Sequence, residues 1–125
     1  MEKSSSCACG EKVDLIFSCS GGSDVGALAD RSARKLSSDG CGKMYCLAGL
    51  GGHISGIIKT TESASSIIAI DGCPLACAKK TLEHAGINEF HHLFITDLGF
   101  EKGKTPVDDE KIDVVVKKCK EISKS

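Results

Sequence analysis

Tryptophan is absent from this 125-residue chain, tyrosine occurs once and proline twice. With so few aromatic rings there is no stacking platform for single-stranded nucleic acid. Lys and Arg (16) nearly balance Asp and Glu (17) and are scattered, so no basic stripe offers a phosphate footprint and no nucleic-acid partner is expected. No apolar run approaches the roughly 20 residues of a membrane span. Met1-Glu2-Lys3-Ser4-Ser5-Ser6 lacks the apolar stretch of a signal peptide, so a cytoplasmic protein without a membrane partner is expected. What the chain does have is cysteine, eight in all. In a reducing compartment that number points to metal binding or redox chemistry rather than to a disulfide scaffold.

The pattern along the chain reads as a small three-layer α/β domain with a mainly parallel sheet of about four strands and flanking helices, spanning 13–125. Residues 1–12 are polar and small, and read as a mobile tail carrying Cys7 and Cys9. Val13 to Ser18 reads as a strand. Ser23 then caps a helix with apolar positions Val25, Leu28, Ala29, Ala33 and Leu36, which stops near Gly40. Lys43 to Ala48 reads as a second strand. Gly49-Leu50-Gly51-Gly52 breaks the pattern, and Ile54, Ile57 and Ile58 suggest a short helix. Ser66 to Asp71, apolar at consecutive positions, reads as a central strand covered on both faces. Cys73 is expected at the next N-cap and Pro74 at the first helical position, with Leu75, Ala78, Leu82 and Ala85 as one apolar stripe. His92 to Thr96 reads as the fourth strand. A last helix opens at Asp108, Asp109 and Glu110 and buries Ile112, Val115, Val116, Cys119 and Ile122.

Ligands of open parallel sheets collect beyond the carboxyl ends of the strands, and Cys19, Cys46 and Cys73 all fall at such ends. Cys77 follows Cys73 by one helical turn on this reading. These four thiolates are enough for a closed tetrahedral zinc site. Helix N-termini, with Lys79 and Lys80, would favour the thiolate form, and Asp71 is a candidate to orient a ligand, though Asp before Gly is also ordinary turn chemistry. The plain alternative is that the thiols pack as small hydrophobes, and Cys119 is read that way. Cys41, beside Gly40, reads as an exposed bystander or weaker ligand.

On Cys19-Ser20-Gly21-Gly22-Ser23-Asp24-Val25-Gly26, Cys46-Leu47-Ala48-Gly49 and Asp71-Gly72-Cys73-Pro74-Leu75-Ala76-Cys77-Ala78-Lys79-Lys80, the chain resembles the DGC-domain family, named after a central Asp-Gly-Cys. The resemblance covers about 13–103. It implies zinc chelation by Cys19, Cys46, Cys73 and Cys77, the same four that spacing selects, and supplies no reaction. Cys7 and Cys9 lie outside it, as possible accessory thiols.

Other chemistries fit less well. Ser20-Gly21-Gly22-Ser23-Asp24 looks like the loop of ATP-pyrophosphatases, but Val25 replaces the hydroxyl residue and no second nucleotide motif follows. The phosphatase pattern Cys-x5-Arg fails at Gly26, and Gly49-Leu50-Gly51-Gly52 lacks the rest of a dinucleotide fingerprint. His53, His84, His91 and His92 are scattered, so no catalytic residue is assigned. An iron–sulfur cluster or a thiol redox sensor is the serious competitor to zinc, because four cysteines serve either. The metal ion is the one partner expected, with any protein partner left open.

Overall fold

A computed structural model describes residues 13–123. The 1–12 segment, with Cys7 and Cys9, lies outside the described residues. Four parallel strands, β1 (Leu15–Ser18), β2 (Lys43–Met44), β3 (Ile67–Asp71) and β4 (His91–Phe94), form one sheet in the order β2-β1-β3-β4. The chain moves outward from β1 to β2 and then returns across β1 to β3, so the order reverses between β1 and β3. Those two strands lie in full register, Leu15 beside Ile67 through Ser18 beside Ile70, and the other strands flank them.

The flanking helices are α1 (Asp24–Ser38), α2 (Leu47–Gly51), α3 (Ser55–Glu62), α4 (Cys77–His84) and α5 (Asp109–Ser123). Side chains alternate across a strand, and the core divides accordingly into two layers. Ile16, Ile68 and Ile70 pack on one face with Val25, Leu28 and Ala33 of α1 and Val115 and Cys119 of α5. Leu15, Phe17, Ile67 and Ala69 pack on the other with Leu50 of α2 and Ala78 and Leu82 of α4. Every residue of β1 and β3 is buried, as continuous apolar runs require.

The first helix has the expected punctuation. Ser23 Oγ accepts from the Gly26 N–H at 3.0 Å, and Gly40 takes a φ of 82° just past the end. Three boundaries differ from expectation. Strand β2 stops at Met44 rather than reaching Ala48, because Cys46 turns the chain into α2, so the glycine-rich segment is helical where the sequence suggested a break. Strand β4 ends at Phe94, and Ile95–Leu98 continue as a 3₁₀ turn. Helix α4 begins at Cys77, not at Pro74. Cys73 to Ala76 form a turn closed by the Ala76 N–H to Cys73 C=O bond at 3.0 Å, Ala76 holds a φ of 56°, and Leu75 is 62% exposed rather than packed.

Candidate metal-binding edge

The carboxyl end of β3 meets the first turn of α1 almost backbone to backbone. A Cβ added to Gly72 would lie 2.8 Å from the Gly26 nitrogen and the Val25 carbonyl carbon, so only glycine lets β3 end against the first turn of α1. Cys19 and Cys73 emerge on either side of this seam, where the strand order reverses. The Cys19 N–H donates to the Ile70 carbonyl at 3.1 Å, and its sulfur accepts from the Gly72 N–H at 3.3 Å. Cys46 is the N-cap of α2, with its sulfur accepting from the Gly49 N–H at 3.3 Å. Both sulfurs therefore accept a backbone N–H donor.

Cys73 is half-buried and stands 3.6 Å from the Lys102 ammonium. The segment that carries Lys102 is pinned by Asp24, whose carboxylate accepts from the Gly103 and Thr105 N–H groups, both at 2.9 Å. Those bonds, Gly103 first, hold the Asp24 carboxyl below its ordinary range. Cys77 is exposed at the start of α4. Because Cys73 opens the turn rather than capping the helix, the expected one-turn spacing of Cys73 and Cys77 along a common helix does not hold.

Asp71 is fully buried and does what a local cap would do for α4. Its carboxylate accepts from the Ala78 N–H at 2.7 Å and the Lys79 N–H at 3.1 Å, while His92 Nε2 lies 2.8 Å away. The His92 ring stands edge-on to Phe94, with centroids 4.5 Å apart. Asp71 thus fixes the helix start that presents Cys77. Lys79 contributes its backbone N–H to this arrangement; the cation beside a thiol is Lys102.

Cys19 and Cys46 line one cavity of about 570 Å³ with Ser20, Asp30, Arg34 and Tyr45, whereas Cys73 and Cys77 lie outside its wall. Ser18, Ser20, Asp30 and Arg34 form a chain of hydrogen bonds along that wall. Burial raises the Asp30 carboxyl, but bonds from Arg34 and Ser20 and the Arg34 charge outweigh it and hold it below the ordinary range. Among the described residues, no three His, Cys, Asp or Glu side chains stand together as a preformed metal cage. The four sequence-selected cysteines share one edge, and the cavity joins two of them.

Two other cysteines divide. Cys119 is buried against α1 and the sheet as expected, and desolvation pushes its thiol up to about 12. Cys41, expected to be exposed, is 3% exposed within the same core layer. At the start of α1 after the glycine-rich turn, the Val25 N–H is met by Asp24 and the Gly26 N–H by Ser23. The sequence reading missed Lys102 and the pairing of His92 with Asp71. Period-two alternation through Phe90, His92 and Phe94 marks one face of β4, but Lys102 reaches Cys73 from 29 residues away with no local signal.

The DGC domain family matches residues 15–119, and the chain belongs to that family. The Anaerobic and virulence modulator AnvM of Pseudomonas aeruginosa is 34% identical over 92 residues, covering 74% of this chain and 70% of that protein. No solved structure matches the chain. No helix among the described residues is long and apolar enough to cross a membrane.

Proposed function

We propose that this chain is a regulatory metal-binding protein of the cytoplasm, in which Cys19, Cys46, Cys73 and Cys77 hold one zinc ion at the carboxyl edge of the sheet. The observation that carries the reading is the contrast among thiols. These four are free, partly or fully exposed and gathered on the edge where three strands end, while Cys119 is sealed in the core. The donor set fits zinc, which takes four thiolates tetrahedrally, and the N–H donors on Cys19 and Cys46 and the Lys102 ammonium offset the negative charge such a centre carries. The cage is not preassembled, so binding draws the strand-end segments together. When bound, zinc would supply a cross-link between three strand ends, and the chain's own residues supply its scaffold: Asp71 braces Cys77, and Gly72 seats Cys73 beside Cys19.

The relative's description as an anaerobic and virulence modulator supports a regulatory rather than catalytic role. The word anaerobic also favours one second reading, in which the same thiols hold an iron–sulfur cluster or act as a redox sensor. Metal and sulfide analysis of anaerobically purified protein, with its visible spectrum, separates them. One zinc per chain, colourless and lost in Cys73→Ser, is the expected result. Iron with sulfide and visible absorbance would move the assignment to the second reading, and protein free of both metals would end the metal-binding proposal.

A further inference from the structure

His53 and His84 lie far from one another in sequence and together in space. Their ring centroids are 5.4 Å apart and their planes are inclined by 60°. His53 follows α2 and His84 is the last residue of α4, two helices that pack together closely enough for a Cβ on Gly51 to sit 3.9 Å from the Thr81 methyl. Both residues are exposed, and neither imidazole hydrogen-bonds another described residue, so all four ring nitrogens are available.

Aromatic packing alone accommodates centroids 4.5–7 Å apart. One further feature goes beyond it. A zinc ion about 2.0–2.1 Å from one nitrogen of each ring sits about 3.2 Å from each ring centre, and a tetrahedral angle then separates the centres by about 5.2 Å. The observed 5.4 Å matches that spacing. The helix end fixes the His53 backbone: its φ of 58° belongs to the C-terminal cap of α2, where the His53 N–H bonds the Leu50 carbonyl and the Ile54 N–H bonds the Gly49 carbonyl, both at 3.0 Å.

We propose that His53 and His84 form a second metal-binding point, a two-imidazole clamp for a divalent first-row ion such as zinc, with water completing the coordination. It is separate from the cysteine edge in ligand chemistry, although Cys77, Thr81 and His84 share one stripe of α4. Two protein ligands and open water positions make it an exchangeable site rather than a structural one.

The test uses the untagged full chain with its accessible thiols blocked by N-ethylmaleimide, titrated with Zn²⁺ while histidine ring signals are followed by ¹⁵N-resolved NMR. A parallel titration of the chain with all four edge cysteines changed to Ser guards against unfolding by the blocking reagent. The His53 and His84 rings are expected to shift together with a single dissociation constant. His53→Asn, which tolerates the left-handed backbone, and His84→Gln are each expected to weaken binding roughly tenfold or more, with the double variant little worse than either single one. Movement of one ring alone, unchanged affinity in either variant, or no response to Zn²⁺ would overturn the clamp. Because the thiols are blocked or absent, that failure would leave the cysteine-edge reading untouched, and failure of the cysteine edge would not touch the clamp.

Discussion

The two junctions where β1 and β3 give way to helices solve one problem differently. After β1 the solution is local: Ser23, directly before α1, caps the Gly26 N–H. After β3 it is remote. The residue before α4 is Ala76, which has no side-chain acceptor and sits in a left-handed conformation, so the amides of Ala78 and Lys79 are met by Asp71, still part of the strand. A local cap stabilises one helix end. A strand-borne cap ties the helix to the sheet centre, and it leaves the Cys73–Ala76 turn, with Pro74 and Leu75 exposed, free to present Cys73. The Asp of the Asp-Gly-Cys motif is therefore an architectural residue, which holds Cys77 in place without needing to touch a metal.

That difference predicts unequal costs. Asp71→Ala removes a buried carboxylate serving two amides and His92, and is expected to destabilise the fold by about 3 kcal/mol. Ser23→Ala removes one bond to an amide at a partly exposed helix start, and is expected to cost about 1 kcal/mol. Urea unfolding of the two variants side by side checks the ranking. Equal losses would mean that the two caps are equivalent and the remote one has no special role.

The first junction also carries a long-range contact that responds to acid. Asp24 grips Gly103 and Thr105, and those bonds, with Gly103 first, hold its carboxyl below the ordinary 3.8. A carboxyl depressed on folding adds stability that is complete above its unfolded value and is lost as pH falls through the folded value. Asp24→Asn is expected to flatten the acid limb of the stability profile below about pH 4 while also loosening the segment that carries Lys102. Urea midpoints measured from pH 7 downward test this, and an acid limb as steep as the parent's would show that the grip contributes nothing.

The same contrast explains what could be read without coordinates. The first junction was legible because its signals are adjacent: Ser23 before a period-3.6 apolar pattern, and Gly40 after it. The parallel sheet was legible from the alternation of apolar runs and helical stripes, and the four edge cysteines from their places after those runs. At the second junction, Pro74 and the spacing of Leu75, Ala78 and Leu82 imitate a helix start one turn too early. The deciding interactions there, Asp71 with Ala78 and Lys79 and Lys102 with Cys73, pair residues whose proximity only the folded chain creates. The glycine-rich start of α2 misled for a related reason, since Cys46 supplies the cap and Leu50 the buried anchor that override weak helix propensity.

Leu75 gives the smallest effect and the sharpest division between the two descriptions of this junction. If Pro74 opened α4, Leu75 would share a stripe with Leu82, which is fully buried between helix and sheet, and truncating either would open a cavity costing about 2–5 kcal/mol. In the turn, Leu75 is 62% exposed and its side chain gives up little contact. Leu75→Ala is thus expected to change stability by less than about 0.5 kcal/mol, while Leu82→Ala costs the full core value. A large loss at Leu75 in denaturant unfolding would place the helix start back at Pro74 and carry Cys73 onto the helix with Cys77. A negligible loss that accompanies weakened zinc binding would instead show that the exposed turn, rather than the helix, presents Cys73 to the metal.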